Sequence, residues 1–272
     1  MIKVVLIDAL NLIRRIYAVQ ERPYLPLPDT ISDNTRKQLQ HNTINTVESA
    51  VKKIISQLEP SHAVMVFDHD VKHSWRHKLY PEYKADRKPM PALLHSTLPL
   101  IKSCLAEAGV KSISPHEYEA DDVIASLASK LVEKQHQAII VSTDKGFLPI
   151  LQNNLQIYDH FKKAFVTDEY IMDKFGVSKQ KLVSYWALVG DSTNNIKGIA
   201  GIGPKTAIEI LTNHASLKAA VQDDSLSKKA KQALSEQQYS FKLAATLLAP
   251  KTDVDLGINL KNYRLGTRYD TA

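Results

Sequence analysis

Three short runs of hydrophobic residues stand out along the chain, and none of them alternates between apolar and polar positions. They cover residues 4–7, 63–67 and 138–141 and are rich in β-branched side chains. Runs of this length and composition are typical of strands buried on both faces of a parallel sheet. Two further short strands are predicted near residues 110–113 and 155–158.

Helical patterns lie between these runs, at about residues 38–58, 92–108 and 120–134. Strands that alternate with helices predict a right-handed α/β unit with a mostly parallel sheet. Beyond about residue 165 the pattern is helical only, with helices expected near 168–175, 179–189, 204–213, 215–221 and 227–248. We therefore expect an α/β domain over residues 1–165 and a helical domain over 166–260. Residues 20–35 have the composition of a surface loop.

Acidic residues follow the three hydrophobic runs. Asp8 and Asp68 end the first two, and Asp144 follows the third after two residues. Because ligands bind beyond the carboxyl ends of parallel strands, these three side chains are expected at one edge of the sheet. A fourth acidic group, Glu119-Ala120-Asp121-Asp122, precedes a predicted helix. Any one of these acids could be a turn or cap residue. Together they need a compensating cation, and an all-carboxylate site favours Mg²⁺ or Mn²⁺ over zinc.

The overall charge is +6 and the isoelectric point about 9.1, which is compatible with a polyanionic partner. A single cysteine, Cys104, excludes an internal disulfide and a cysteine-rich zinc site. No apolar run is long enough to span a bilayer, and the first residues lack the features of a signal peptide, so a cytoplasmic protein without membrane contact is expected. The basic residues crowd into one segment, as Lys72, Arg76, Lys78, Lys84, Arg87 and Lys88.

That basic segment has two interpretations. It could be a solvated face with no ligand. Trp75, Tyr80 and Tyr83 are interleaved with its cations, however, and aromatic rings among basic residues suit stacking on unpaired bases.

Four glycines in residues 190–203 predict a tight turn with close approach of the backbone. Pro204 can begin the next helix, and the exposed amides at its start, with Lys205 and Thr206, could hold a phosphate. The spacing is not that of a Walker loop. A helical hairpin with no ligand is the alternative.

In this order the motifs resemble those of the flap endonuclease and 5′-nuclease family. The resemblance extends from Leu6 to about Leu211. The length of the chain and the residues at its start are similar to those of the short bacterial Xni (exonuclease IX) group, whose members stand alone rather than fused to a polymerase. The residues that carry it are Asp8, Phe67-Asp68, Tyr80-Pro81-Glu82-Tyr83-Lys84-Ala85-Asp86-Arg87, Glu119-Ala120-Asp121-Asp122, Ser142-Thr143-Asp144-Lys145 and the glycine-rich stretch from Gly190 to Ala207.

The resemblance implies a PIN-like 5′-nuclease domain, a helical arch over residues 72–95, and a helix–three-turn–helix hairpin over residues 180–213. The implied activity is Mg²⁺-dependent cleavage of a 5′ single-stranded flap at a duplex junction in DNA, in replication or repair. The protein is expected to be a monomer. Lys84 and Arg87 would face the scissile phosphate and help to neutralise it.

The family's first metal site would be formed by acidic residues that are all present here: Asp8, Asp68, Glu119, Asp121, Asp122 and Asp144. Its second site would share Asp144 and add three aspartates. This chain keeps Asp191 but has Gly146 and Asn194 at the other two positions. We therefore expect one strongly held Mg²⁺ near Asp121 and Asp122, replaceable by Mn²⁺, and a second that is weak or held through water.

The resemblance also implies a K⁺ ion at the hairpin, bound by backbone carbonyls and bridging to a DNA phosphate. By position, these carbonyls belong to Leu188, Val189, Lys197, Ile199 and Ile202. The turn that grips the DNA backbone would be formed by Gly201, Ile202, Gly203, Pro204, Lys205 and Thr206.

Three other functions stay open at this point. Loss of two second-site acids could leave a protein that binds flap DNA without cutting it. A phosphoacceptor of the receiver type also gathers acids and a lysine at strand ends, but it leaves the basic segment and the glycine-rich hairpin unexplained. A nuclease that cuts RNA would have a related acidic sheet.

Overall fold

A computed structural model of the chain describes residues 1–25, 31–68 and 74–266. At its centre is a six-stranded sheet in the order β3-β2-β1-β4-β5-β6. The strands are β1 (Lys3–Asp8), β2 (His62–Val66), β3 (Lys111–Ile113), β4 (Gln137–Val141), β5 (Leu155–Asp159) and β6 (Ala164–Phe165). All neighbours are parallel except β5 and β6. The predicted parallel sheet is confirmed, and the two-residue β6 was not predicted.

The helices of the first half are α1 (Ala9–Glu21), α2 (Asp33–Leu58), α3 (Trp75–Leu79), α4 (Ala92–Glu107) and α5 (Ala120–Glu133). The expected loop over residues 20–35 is shorter than predicted. Helix α1 extends to Glu21, a 3-10 turn covers Arg22–Tyr24, and Ser32 caps α2 by accepting a hydrogen bond from the Thr35 amide. Residues 26–30 of that loop lie outside the described ranges.

Alternate residues of the buried strands enter two separate hydrophobic cores. Val5 and Ile7 of β1 pack with α1, α2 and α4 on one face of the sheet. Val4 and Leu6 pack on the other face, in a core that contains α5 and also the C-terminal helices, including Trp186. Burial on both faces explains why the strands have continuous hydrophobic sequences.

The second half is helical, as predicted. It contains α6 (Asp168–Phe175), α7 (Leu182–Val189), α8 (Pro204–Asn213), α9 (Leu217–Gln222), α10 (Lys228–Glu236) and α11 (Gln238–Leu248). A single helix over residues 227–248 was expected, and this prediction is wrong. Gln237 has φ −109° and ψ 27°, which separates α10 from α11, and its side chain bonds to a distant loop described below.

The predicted helical arch over residues 72–95 is mostly not helical where the structure describes it. From residue 74 onward it contains the five-residue α3, a set of turns, and then irregular backbone up to the start of α4 at Ala92. Lys84 lies in the turns with a φ of 55°. Lys72 lies outside the described residues.

Within residues 1–25, 31–68 and 74–266, no helix is both long enough and apolar enough to cross a membrane.

Candidate active site

Asp8 stands at the junction of β1 and α1. One carboxylate oxygen accepts the Asn11 amide at 3.2 Å and so caps α1, while the other accepts the Ser142 hydroxyl at 2.8 Å. The hydroxyl oxygen of Ser142 in turn accepts the amide of Asp144 at 3.0 Å. Neighbouring strands pair Asp8 with Val66 and Ile7 with Val141, so the ends of β1, β2 and β4 lie level. The acids that follow these strands therefore share one edge of the sheet.

Asp68 joins this edge to the start of α5. Its carboxylate accepts the backbone amide of Ala120 at 2.7 Å. This bond satisfies one of the free amides at the helix start and orients the helix that carries Asp121. Asp144 accepts the amide of Gly146 at 2.7 Å and thereby begins a 3-10 turn over Lys145–Ile150.

Glu119 is 3% exposed and binds three donors through one oxygen. Oε2 lies 3.1 Å from Lys84 Nζ and 3.3 Å from Arg76 Nη1, and it accepts the Tyr83 hydroxyl at 3.2 Å. The basic segment is therefore folded down onto the start of α5. Burial raises the pKa of Glu119, but the ammonium of Lys84 and the guanidinium of Arg76 outweigh burial and hold that pKa below its usual range.

Asp122 is fully buried and faces the same guanidinium. Its Oδ2 accepts Arg76 Nη1 at 2.8 Å and the indole N–H of Trp75 at 3.0 Å. Arg76 also donates to the carbonyls of Leu247 at 2.9 Å and Ala249 at 3.4 Å, at the end of α11. One buried arginine thus joins the basic segment, the acidic helix and the C-terminal region.

Three carboxyl groups of the acidic edge have raised pKa values. Burial raises the pKa of Asp8 to about 7, with contributions from the charges of Asp68 and Asp144. Burial and then Asp144 and Asp8 raise the pKa of Asp121 well above its usual range. The pKa of Asp68 is also raised, chiefly by burial. These carboxylates repel one another, and nearby positive charges do not fully compensate their negative charge. A cation placed among them would therefore be stabilised.

The donor chemistry fits a hard divalent cation, because every candidate ligand is a carboxylate oxygen. In the described part of the chain, no three acidic, histidine or cysteine side chains are arranged to enclose a metal ion directly. A metal held here therefore needs water to complete its coordination, which Mg²⁺ tolerates well. Asp8, Asp68, Asp121 and Asp144 are the residues placed to hold it.

The family's second metal site would lie at Asp191, and the surroundings of this residue suit a divalent cation less well than the acidic edge does. Asp191 is 3% exposed, and both of its oxygens already bind protein donors. Oδ1 lies 2.8 Å from Lys145 Nζ and accepts the Thr193 amide at 3.2 Å, while Oδ2 accepts the side-chain amide of Asn194 at 2.7 Å. At Gly146, a Cβ atom would lie 3.2 Å from Asp144 Oδ1, so even the start of a side chain would crowd that carboxylate.

A cationic pocket of about 590 Å³ adjoins the acidic edge. Asp68 forms part of its wall, with Arg14, Lys84, Arg87 and Lys88 around it. Burial and then the charge of Arg87 lower the pKa of Arg14, which shows that like charges are concentrated here. An anion such as a phosphate would relieve that repulsion.

Two of the aromatic residues predicted to stack on bases are engaged elsewhere in this structure. Tyr83 is only 4% exposed and donates to Glu119, and Trp75 donates to Asp122. Tyr80 is partly exposed and donates to Glu82 at 3.0 Å. Of the three rings, Tyr80 is the one that does not bind Glu119 or Asp122.

Two glycines bring the arms of the predicted hairpin into contact. A Cβ atom at Gly198 would lie 2.4 Å from the carbonyl oxygen of Leu188, and Gly190 has a φ of +87°. The Ile199 amide donates to the Leu188 carbonyl at 2.8 Å, and the Ile202 amide donates to the Ile199 carbonyl at 3.0 Å. Only glycine allows this close approach, which gathers backbone carbonyls from both arms.

The turn that follows leads directly into α8. Gly201 has a φ of +89°, Gly203 precedes the helix and Pro204 is its first residue. Lys205 is exposed. The side-chain amide of Gln237 stabilises this turn. It accepts a hydrogen bond from the Ala200 amide at 2.9 Å and donates one to the Ala200 carbonyl at 3.3 Å.

Comparison with known families covers nearly the whole chain. Residues 3–176 match the model of the 5′-3′ exonuclease N-terminal resolvase-like domain, and residues 177–271 match that of the 5′-3′ exonuclease C-terminal SAM fold. The chain belongs to the 5′-3′ exonuclease family. The resemblance inferred from the motifs is thereby confirmed. The two family models meet between residues 176 and 177, whereas the predicted domain boundary lies between residues 165 and 166.

Relatives named flap endonuclease Xni are similar over almost their full length. One from Colwellia psychrerythraea is 44% identical over 267 residues, which is 97% of this chain and 92% of the relative. Another from Vibrio cholerae is 38% identical over 264 residues, 97% of this chain and 96% of the relative. These similarities place the chain among the short Xni members of the 5′-3′ exonuclease family, as expected.

Solved structures confirm the predicted fold class. The T5 D15 protein co-crystallised with metal ions superposes with a TM-score of 0.70 at 17% identity, over 92% of this chain and 90% of that one. The catalytic core of Rad2 in complex with a DNA substrate superposes with a TM-score of 0.55 at 13% identity, over 93% of this chain and 79% of that one. The 5′-3′ exonuclease fold is therefore retained at low sequence identity.

The acids predicted for the metal site divide into two groups in this family member. Asp8, Asp68, Asp121 and Asp144 interact through their charges, whereas Glu119 and Asp122 bind Arg76. Some of the residues that organise the site were missed by the sequence analysis: Asn11, Arg76 as a buried partner, Ser142, and Lys145 as the partner of Asp191. Nothing in the local sequence distinguishes Arg76 from its exposed basic neighbours.

Proposed function

We propose that this chain is a Mg²⁺-dependent flap endonuclease that cleaves a 5′ single strand where it meets duplex DNA. One observation carries the proposal: an edge of under-compensated carboxylates adjoins a pocket of cations, with Asp68 part of both. Metal-dependent hydrolysis of a phosphodiester uses both features, since the metal must lie beside the groups that bind the phosphate. The Xni relatives carry the name of this activity.

Asp8, Asp68, Asp121 and Asp144 would hold the metal ion, partly through water. When bound, Mg²⁺ or Mn²⁺ lowers the pKa of a coordinated water and offsets the charge that develops on the phosphate. Asp8 keeps its orientation through Ser142 and Asn11, so its carboxylate is preorganised. The raised pKa values of Asp8 and Asp121 favour proton uptake in the metal-free state, which the metal opposes.

Lys84 and Arg87 would contact the scissile phosphate from the cationic pocket. Lys84 now binds Glu119, and that ion pair raises the pKa of Lys84 although burial acts in the opposite direction. The ammonium therefore stays charged and is held beside Asp68. Arg87 is exposed and can reach a phosphate without breaking a bond to a buried acid.

The hairpin would hold the duplex through its backbone. The carbonyls of Leu188, Val189, Lys197, Ile199 and Ile202 are the candidate ligands of a K⁺ ion, and the glycine contact supports this by bringing both arms together. The amides at the start of α8, together with Lys205, would bind a phosphate. Such contacts read DNA shape rather than base sequence. A cytoplasmic location and a monomeric state are retained as expectations that suit a protein acting on cellular DNA.

The test is a labelled 5′-flap substrate incubated with the wild type and with Asp121→Ala over a range of Mg²⁺ concentrations. We expect the variant to lose more than about a hundredfold in cleavage rate, since a developing charge loses its stabilisation. Binding of the same substrate in EDTA should be unchanged within about threefold, because phosphate contacts supply most of the affinity. Asp173→Ala, at an exposed acid of α6, is the control and should cleave normally.

Three outcomes would contradict the proposal. Full activity of Asp121→Ala would remove the acidic edge from catalysis. Failure of the wild type to cut at any Mg²⁺ or Mn²⁺ concentration would indicate a flap-binding protein instead. An RNA flap of the same shape should be cut more slowly than the DNA flap, and the reverse preference would indicate an RNA nuclease.

A further inference from the structure

The wall of the pocket that contains Asp121 and Asp144 also contains a lysine–aspartate pair. Lys145 and Asp191 line the same cavity as those two acids. The Lys145 ammonium lies 2.8 Å from Asp191 Oδ1 and 5.3 Å from the centre of the Trp186 ring. The side chain of Asp191 is 2% exposed and that of Lys145 is 32% exposed, so the pair has a buried anion and a partly open cation.

A divalent cation that approached Asp191 would be repelled by the ammonium already bound there. Lys145 and Thr193 occupy one oxygen, and the Asn194 amide occupies the other at 2.7 Å. Desolvating a second dication at a carboxylate that is already neutralised brings little electrostatic gain. Gly146 and Asn194 supply no carboxylate at the two positions where the family's second site has aspartates.

We propose that the Lys145 ammonium takes the place of a second divalent cation, neutralising Asp191 and presenting a fixed positive charge to the DNA phosphate in the pocket. Lys145 lines the cavity that contains Asp121 and Asp144, so a phosphate bound there near the acidic edge would meet its ammonium. An ammonium gives one charge and three hydrogen-bond donors, but it does not activate water. Lys145 is therefore a binding group for the phosphate and not a source of the nucleophile.

The role of Lys145 in binding phosphate rests on the proposed function. The replacement of a metal ion by Lys145 does not. The occupancy at Asp191 can be measured without any cleavage. Electron paramagnetic resonance can count the bound Mn²⁺ in three proteins. These are the wild type, the single variant Lys145→Met, and the double variant that combines Lys145→Met with Asn194→Asp. Lys162→Met is the matched control, because it removes a cation from a second cavity that Asp144 also lines, without removing a partner of Asp191.

We expect Lys145→Met with Asn194→Asp to bind one more equivalent of Mn²⁺ than the wild type. Adding Asp191→Asn to that variant should remove the extra equivalent, and Lys162→Met should bind the same amount as the wild type. Thermal unfolding gives a second readout. Lys145→Met leaves the buried carboxylate of Asp191 without a compensating positive charge, so Mn²⁺ should raise the Tm of this variant by about 4 °C more than it raises that of the wild type.

If Lys145→Met does not fold, Lys145→Met with Asp191→Asn removes both charges and should restore folding. The proposal is overturned if Asp191→Asn alone lowers the Mn²⁺ count of the wild type by one equivalent, since Asp191 would then already bind metal. It is also overturned if Lys145→Met with Asn194→Asp binds no extra Mn²⁺. Cleavage of a 5′ flap by the wild type in the same buffer tests the proposed function separately, so failure of one is distinct from failure of the other.

Discussion

Replacing Arg76 with methionine should be one of the most costly single changes in the chain. Its guanidinium is the closest partner of Asp122, at 2.8 Å, and a third donor to Glu119, at 3.3 Å. Glu119 would keep Lys84 and Tyr83, but Asp122 would keep only the indole of Trp75 at 3.0 Å. Most of the cost therefore arises at Asp122, whose carboxylate is fully buried.

Removal of one partner from a buried ion pair costs about 3–5 kcal/mol. The lost donors to the carbonyls of Leu247 and Ala249 add to this. Urea unfolding followed by circular dichroism measures the loss as a lower midpoint. Arg36→Met, at an exposed arginine of α2, is the control and should change the free energy of unfolding by less than about 0.5 kcal/mol.

A double-mutant cycle isolates the pair itself. With Asp122→Asn present, Arg76→Met should cost about 2 kcal/mol less than it does in the wild type, because no buried charge is left unpaired. A loss below about 1 kcal/mol for Arg76→Met, or strict additivity in the cycle, would refute the reasoning. Either result would mean that water or a rearranged side chain replaces the guanidinium.

Three other predictions concern pH and the hairpin. The pKa of Asp8 is raised from 3.8 to about 7 in the folded state, so ionisation of this carboxyl opposes folding. The free energy of unfolding of the metal-free protein should therefore fall as the pH rises from 3.8 to about 7, by at most about 4 kcal/mol. Asp8→Asn should flatten this fall in thermal melts in EDTA, and an unchanged slope would contradict the assigned pKa. Gly198→Ala places a methyl group 2.4 Å from the Leu188 carbonyl oxygen, so duplex binding by fluorescence anisotropy should weaken at least about tenfold and lose its response to K⁺. Wild-type affinity would show that the two arms need not touch. Gln237→Ala removes both bonds to Ala200 and should weaken duplex binding several-fold at unchanged Tm, whereas an equal loss of Tm and affinity would indicate a purely structural role.

The sequence predicted secondary structure well where the residues next to one another in the chain determine it. Helix α6 was expected at residues 168–175 and has those bounds, because Thr167 caps its start and Gly176, with a φ of 70°, ends it. Strands β1, β2 and β4 were predicted because their burial on both faces gives them continuous hydrophobic sequences. In contrast, the break between α10 and α11 contains neither glycine nor proline. Gln237 is held there by Ala200, 37 positions away.

The candidate site shows the same division. The strand-end acids could be predicted, because parallel topology brings the ends of strands together. The partners of those acids could not. Arg76 binds Glu119, Asp122 and Leu247 across 43, 46 and 171 positions, and no local pattern records such contacts. The same limit applies to Lys145 and Asp191, which are 46 positions apart. The acids could therefore be predicted from the sequence, whereas the pairing of several of them with lysine or arginine could not.

The hydrophobic core that β1 shares with the C-terminal helices has a consequence for where DNA would be cut. Val4 and Leu6 belong to the same packed cluster as Leu188 and Ile202 of the hairpin. Close-packed interiors have low compressibility, so we expect the hairpin and the acidic edge to keep a constant separation. If the hairpin holds the duplex as proposed, the number of nucleotides between the bound backbone and the broken bond would be fixed by the fold, and we expect the incision position to be the same from one flap to the next.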